Sequence, residues 1–269
     1  MAESLSRQMD LGGWVSITRH WSVGSEVRVQ PIKGGAMLYD SSRAGNAQEG
    51  WLDRRWWAQR GQVLPAPAGR GAVSMIAADG RQLVLRHYRR GGLAALLSAD
   101  RYWWQGAERT RCFAEWQLLY LMRRNGMPVP NPIAARYRRH GNTYTADLLM
   151  EHIPGTAALS AWLATAVVPS DIWMAIGRCI RRFVLAGVSH ADLNAHNILL
   201  DTQEQVWLID FDRARLRKQG LWADASLARL YRSVEKVGRR LPRGRFREAD
   251  WQALLDGYLS ETGVRVSAA

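Results

Sequence analysis

The spacing of apolar positions changes part-way along the chain, and that change is the first guide to its fold. Residues 66–92, "APAGRGAVSMIAADGRQLVLRHYRRGG", read as a glycine turn, an apolar strand, a turn at Asp79-Gly80 and a second strand from Gln82 to Tyr88. The stretch 108–126, "ERTRCFAEWQLLYLMRRNG", instead places apolar residues at 113, 116, 119 and 120, a helical spacing that stops at Gly126. Residues 127–155 return to strand character in two runs around His140-Gly141-Asn142, and close on Pro154-Gly155. Beyond that break the segments are mostly helical: "ALSAWLATAVV", then "SDIWMAIGRCIRRFVLAG" with a Ser170/Asp171 cap and a Gly187 stop, and later "ASLARLYRSVEKVGRRL". The exception is "HNILLDTQEQVWLIDFD" (196–212), two short apolar strands about a polar turn. The first 60 residues carry weaker patterns, a short strand in "GGAMLYD" (34–40) and helically spaced aromatics in "WLDRRWWAQRG" (51–61). A β-rich first part and a helical second part predict an α+β chain of two lobes, residues 1–152 and 153–269, with a cleft between them.

Composition narrows the setting. With 269 residues, 47% of them hydrophobic, the chain can bury a sizeable core. Its two cysteines, Cys112 and Cys179, lie far apart and outside any C-x-x-C pattern, which argues against a disulfide framework or a zinc site. The start lacks a basic stretch followed by an apolar one, and the longest nearly apolar run (156–169) is too short to span a bilayer, so the expectation is a protein neither exported nor membrane-spanning. A net charge of +13 suits an anionic partner, whether nucleic acid, a phosphorylated substrate or an anionic membrane face; the sign alone does not choose. Lys33, Lys218 and Lys236 are the only lysines, and the remaining cations are arginines, whose planar forks match phosphate and carboxylate. Thirteen tryptophans favour boundaries between apolar and wet regions.

The candidate chemistry lies in "HADLNAHNILLD" (190–201) and the following "LIDFD". Aspartate and asparagine are common turn residues taken singly. Here His190, Asp192 and Asn197 together match H-x-D-x-x-x-x-N, apolar strands flank them, and Asp210 follows Asn197 by thirteen residues. Phosphoryl transfer needs a group to orient the attacking hydroxyl, metal ligands and a phosphate cradle, and this stretch offers the first two. On these residues the chain resembles the protein-kinase-like superfamily. The resemblance implies a bilobal fold with a β-rich N-lobe, a helical, shortened C-lobe and ATP in the cleft. It makes Asp192 the catalytic carboxylate, His190 a brace, and Asn197 and Asp210 ligands for Mg2+. Asn194 stands where many protein kinases place a lysine, and would touch substrate or phosphate.

The cradle is less distinct. Gly69, Arg70 and Gly71 open the strand pair in "AGRGAVSMI", where a plain hairpin turn is the competing reading. Protein kinases pair a strand lysine with a helix glutamate; the matching positions hold Arg86 and Glu115. Met150, Glu151 and His152 lie where the hinge should pass adenine. Asp212 replaces the glycine of the kinase D-F-G, and neither an A-P-E segment nor a long activation loop follows, so an extended peptide substrate has little to dock on.

"GRGAV", "LVLRHYRRGG", "FAEWQLL", "MPVPNPIAARY", "MEHIPG", "HADLNAHNILLD" and "VWLIDFDR" make the chain similar to 3-deoxy-D-manno-octulosonic acid (Kdo) kinases of Gram-negative bacteria, over roughly residues 32–235. That resemblance implies transfer of the ATP γ-phosphate to the 4-hydroxyl of Kdo on a lipid A precursor, by a peripheral protein on the cytoplasmic face of the inner membrane. Such an acceptor is a lipid-linked anionic sugar, which arginine forks and a positive field would suit, with Arg89, Arg90, Asp212 and Arg213 as possible phosphate or substrate contacts. An anionic membrane surface is a second expected partner; nucleic acid is not expected. A heptose kinase of the same pathway is the nearest rival. An antibiotic phosphotransferase would need an acidic acceptor site, and a kinase-like binding module would have no use for Asp192, Asn197 and Asp210.

Overall fold

The structure, a computed structural model, describes residues 26–65, 73–89, 100–218 and 220–262. Among these, the chain divides into two compact units. The first comprises the residues up to Leu121 together with Pro130–His152; the second comprises Met122–Val129 and the residues from Ile153 onward.

The first unit is organised on an antiparallel sheet of β1 (Val27–Ile32), β2 (Gly35–Asp40), β3 (Val73–Ala78), β4 (Arg81–His87), β5 (Tyr102–Trp103), β6 (Pro132–His140) and β7 (Thr143–Glu151). Its order is β1-β2-β6-β7-β4-β3, with β5 also pairing β7. Asp79 and Gly80, at φ 50° and 72°, make the left-handed turn that a tight β3–β4 hairpin requires. The sequence pattern does not predict β1, because this edge strand has no fully buried side chain and so no periodic apolar signal. Strand alternation sorts β4 into two faces, Leu83, Leu85 and His87 on one, and Val84 and Arg86 on the other. The Leu83/Leu85 face forms a core with Met37, Tyr39, Ile133 and Leu149, closed by Leu52 and Trp57. Leu52 and Trp57 belong to a 3-10 turn (Glu49–Leu52) and a short helix, α2 (Arg54–Ala58), which follow α1 (Ser41–Ala44). The helix expected over 51–61 is therefore only five residues long. The Asp53 carboxylate caps its start by accepting the Arg55 N–H at 2.8 Å, and Gly61 (φ 67°) ends the segment.

The helix predicted over 108–126 is α3 (Arg111–Arg124). Phe113, Trp116, Leu119 and Tyr120 are buried as their spacing predicts, and so are Cys112 and Leu118. Burial thus extends around the helix and takes the charged Glu115 with it.

The second unit contains β8 (Ala157–Ala158), α4 (Leu159–Thr165), α5 (Ser170–Leu185), β9 (Val188–Ser189), β10 (Ile198–Leu200), β11 (Val206–Leu208), β12 (Arg215–Leu216), α6 (Trp222–Gly238) and α7 (Glu248–Ser260). β10 pairs both β8 and β11, and β12 pairs β9. Helices α5 and α7 meet backbone to backbone: a Cβ on Gly177 would strike the Leu254 carbonyl, and one on Gly257 the Met174 carbonyl. The expected Ser170/Asp171 cap is not formed. Pro169 occupies the cap position with extended backbone, Ser170 is the first helical residue, and the Asp171 carboxylate accepts the adjacent Ile172 N–H at 2.9 Å. Cys112 and Cys179 are both buried, and burial pushes each thiol up to about 12, too high for a reactive thiolate at neutral pH. No helix among the described residues is long and apolar enough to cross a membrane.

Candidate active site

Each unit gathers one cluster of chemistry-bearing side chains. In the second unit the loop from His190 to Asn197 joins β9 to β10, and its own polar side chains hold its shape. The Asp192 N–H donates to His190 Nδ1 at 3.1 Å, so the ring proton sits on Nε2, which donates to the Ile209 carbonyl at 2.9 Å. Burial lowers the His190 pKa against the opposing pull of the Ile209 carbonyl, Asp210 and Asp192. Both ring nitrogens are thus engaged within the loop, and the ring packs 4.8 Å from that of Phe211.

Asp192 is exposed, and the loop folds around its backbone. Its carbonyl accepts from Asn194 Nδ2 at 3.0 Å and from Asn197 Nδ2 at 2.9 Å, while its carboxylate Oδ2 accepts from Asn194 Nδ2 at 3.1 Å. Asn194 therefore touches the Asp192 carboxylate directly, and its own Oδ1 accepts the His196 N–H at 2.8 Å. Because the Asn197 amide nitrogen is spent on Asp192, its Oδ1 is the atom available as a ligand. The Ile209 N–H donates to the Asn197 carbonyl at 3.0 Å, which brings the following residue, Asp210, back beside the loop. Asp210 has φ 65°, a left-handed conformation uncommon for a residue with a side chain and often retained at functional sites. Asp212 is half-buried, and Arg213, also at φ 65°, is exposed.

Sequence reasoning missed two residues that hold this loop. Ser233 of α6 accepts the Ala195 N–H at 3.1 Å. Ser160 of α4 meets His196 Nδ1 at 2.8 Å, and its backbone N–H donates to the Ala195 carbonyl at 3.0 Å. Each lies more than thirty residues from its partner in sequence, and no local pattern signals either contact.

The first unit's cluster sits on the Arg86 face of β4. Arg86 Nη1 donates to Glu115 Oε1 at 3.2 Å and Oε2 at 3.5 Å, in a pair whose side chains are 19% and 2% exposed. Tyr88, two residues on and just past the end of β4, completes the cluster. Its hydroxyl donates to Glu115 Oε2 at 2.5 Å, and the Arg86 guanidinium lies 4.9 Å from its ring centre. Burial, then the Glu115 charge, raises the Tyr88 phenol well above its ordinary value, so it remains a donor. The available signal was the i, i+2 alternation that puts Tyr88 on the same strand face as Arg86.

Among the expected hinge residues, the Glu151 N–H donates to the Asn131 carbonyl and the His152 N–H to the Gln82 carbonyl, both at 2.9 Å. Neither N–H is open to adenine in this conformation. The Glu151 carboxylate accepts from Arg81 at 3.2 Å and Asn131 at 3.0 Å, Met150 is buried, and burial lowers the His152 pKa. Arg89 is exposed. Gly69, Arg70, Gly71 and Arg90 lie outside the described residues.

Residues 54–258, which include both clusters, match the model of the lipopolysaccharide kinase (Kdo/WaaP) family. The chain belongs to that family. Among its relatives is a 3-deoxy-D-manno-octulosonic acid kinase of Photobacterium profundum, 43% identical over 77% of this chain and 87% of that protein. Another of the same name, from Xylella fastidiosa strain M23, is 44% identical over 76% of this chain and 81% of its own length. A solved structure described as WaaP in complex with acyl carrier protein aligns with a TM-score of 0.49 and 19% identity, over 77% of this chain and 85% of that one. As a Kdo/WaaP-family kinase the protein is a phosphotransferase of lipopolysaccharide biosynthesis, and kinase chemistry implies ATP and typically a divalent metal. The donors present fit such an ion. Asn197 Oδ1 and the Asp210 carboxylate are hard oxygen ligands, and Mg2+ commonly takes one or two carboxylates and completes its shell with water and phosphate oxygens. Among the described residues no cluster of three or more His, Cys, Asp or Glu side chains forms a metal cage, which this mode of binding does not require.

Proposed function

We propose that this family member is an ATP-dependent sugar kinase that phosphorylates the 4-hydroxyl of Kdo on a lipid A precursor, Kdo-lipid IVA, in lipopolysaccharide core assembly. The observation that carries the reading is the 43–44% identity, over about three-quarters of the chain, to relatives named 3-deoxy-D-manno-octulosonic acid kinase. In this reading Asp192 accepts the proton of the acceptor hydroxyl as its oxygen bonds to the γ-phosphorus. The bond from that phosphorus to the β-phosphate bridging oxygen breaks, and ADP leaves. Asn194 limits the motion of the Asp192 carboxylate, and His190 holds the loop without exchanging a proton. Asn197 Oδ1 and the Asp210 carboxylate would hold Mg2+, which when bound would supply charge neutralisation for the phosphates.

Arg86, oriented by Glu115, binds the α/β phosphates, and the segment of Gly69, Arg70 and Gly71 covers them. Adenine is met by the backbone of residues 149–153 through groups other than the Glu151 and His152 N–H. Arg89, Arg90, Asp212 and Arg213 contact phosphates or the acceptor's anionic groups. The acceptor's lipid places the enzyme on the cytoplasmic face of the inner membrane, as a peripheral protein on an anionic surface. The chain's net charge of +13 favours that acceptor over a cationic antibiotic.

The test offers labelled Mg-ATP with a Kdo-bearing lipid A precursor, a heptosylated core acceptor and an aminoglycoside in parallel. Label should move to the Kdo lipid alone. Asp192→Asn should lower turnover by about a hundredfold or more while still binding Mg-ATP. Transfer to the heptosylated acceptor in place of the Kdo lipid, or a near wild-type Asp192→Asn rate, would overturn the acceptor or the base assignment respectively.

A further inference from the structure

Just after the Asp210–Arg213 turn, the second unit carries a strip in which charge and apolar character alternate. β12 pairs β9 with Arg215 opposite Ser189 and Leu216 opposite Val188, and the Arg217 N–H donates to the Gly187 carbonyl at 2.7 Å. Leu216 points into the unit and is buried, while Arg215, Arg217 and Lys218 are exposed. Three residues beyond Lys218, Leu221 is 85% exposed, more than any other large apolar side chain among the described residues. Trp222 next to it is half-buried, with its indole N–H donating to the Lys218 carbonyl at 2.7 Å. Arg215, Arg217 and Lys218 form no ion pair among the described residues, and the nearby acids in sequence are Asp212 and Asp224.

A protruding leucine, a half-sunk tryptophan and three outward cations within eight residues combine the preferences of an anionic membrane interface. The apolar tip leaves water, the indole sits at headgroup depth and the cations meet lipid phosphates. A purely apolar protein partner would leave the cations uncompensated. We infer that Arg215, Arg217 and Lys218, with Leu221 and Trp222, form the surface through which this protein contacts an anionic phospholipid bilayer. Leu221 enters the interface, and Arg215, Arg217 and Lys218 lie over the headgroups. The inference rests on the reading of the acceptor as lipid-linked, and it adds a geometric consequence. β9, the ladder partner of the basic strand, runs directly into His190, so a bilayer held at β12 fixes the position of the loop that carries Asp192.

The test is co-sedimentation of the full chain with phosphatidylcholine vesicles, with and without phosphatidylglycerol, at low and high salt. Wild type should sediment with the anionic vesicles at low salt and be released by high salt. Each of Arg215→Gln, Arg217→Gln and Lys218→Gln should lower partitioning about fivefold, and the triple variant on the order of a hundredfold. Leu221→Ser should lower it by about tenfold or more at low salt. All should keep the wild-type melting temperature and the wild-type rate on a deacylated Kdo acceptor.

Variants that sediment like wild type would overturn the assignment of this surface. So would concentration-dependent self-association that Leu221→Ser abolishes without changing vesicle binding, because Leu221 would then meet a second copy of the chain. Failure of wild type to bind anionic vesicles at low salt would overturn both this surface and the peripheral-membrane reading. Charge- and Leu221-dependent binding by a protein that transfers nothing to Kdo lipids would support the surface and overturn the acceptor reading.

Discussion

Arg86 and Arg136 occupy opposite faces of the same sheet, and each meets a carboxylate, yet the two pairs are tied to different things. Arg136 places Nε at 3.1 Å and Nη2 at 2.7 Å from Asp147 Oδ2, Nη1 at 3.3 Å from the Glu49 carbonyl, and Nη2 on the Leu52 carbonyl. It fastens the 3-10 turn to the sheet, and its side chain is 6% exposed. Asp147 is shared with His87, whose Nδ1 lies 2.7 Å from Oδ1. Arg86 meets a helix glutamate and the face of a tyrosine, and its side chain keeps 19% of its surface exposed. A buried ion pair is weak grounds for assigning a site. One cation is bound to backbone carbonyls and closed over; the other is held by side chains on the face that carries the proposed phosphate contact.

The largest effect that would break this contrast is on stability. Arg136→Met should destabilise the protein by about 3–5 kcal/mol, because Asp147 Oδ2 and two backbone carbonyls all lose their donor at once. Urea unfolding measures this, and the Michaelis constant for ATP of the folded fraction should stay at the wild-type value. A large change in that constant would make Arg136 part of the nucleotide site.

Tyr88→Phe sharpens the other half of the comparison. It should cost about 1–3 kcal/mol by removing the donor to a buried carboxylate oxygen. It should also raise the Michaelis constant for ATP several-fold, with a smaller change in turnover, since Glu115 no longer holds Arg86 in one orientation. Arg86→Lys should reproduce the kinetic change with little loss of stability, and unaltered ATP kinetics in both variants would show that this cluster is structural too.

The smallest effect is a pH dependence. The His87 pKa is raised, chiefly by its hydrogen bond to Asp147 and against the opposing effect of burial. The stability that protonated His87 contributes is present in full below its ordinary value of 6.5 and is lost as pH rises through the raised value. Asp147→Asn should flatten the stability profile over that interval, as followed by thermal melts across pH. An unchanged slope would exclude His87 as its origin.

The elements that could be read from the chain are those whose signal is local. Asp79-Gly80 and Gly141 mark hairpin turns by their left-handed backbone, and the β10–β11 pair shows as apolar runs about a polar turn. The His190–Asn197 loop is legible for the same reason. His190, Asn194 and Asn197 each bond to Asp192 from no more than five residues away, so the residue types and offsets already imply the bonds. β1 was illegible because an edge strand without buried positions has no alternation to read. The aromatic spacing over 51–61 predicts a longer helix than Arg54–Ala58 because it does not register the Asp53 cap.

Local patterns along the chain suffice for the polar constellation of residues 190–197, the hairpins, the helical character of the second unit and, through its motifs, the family. Tertiary structure alone decided that Tyr88 shares Glu115 with Arg86 across 27 and 29 residues, that Arg136 reaches Glu49 across 87, and that Ser233 steadies Ala195 across 38. It also decided that the basic strip ends in an exposed leucine. A periodic pattern states that a side chain leaves the backbone on a given face. What that side chain meets is set by distant segments whose approach depends on the packing of the whole unit, and no local propensity encodes it.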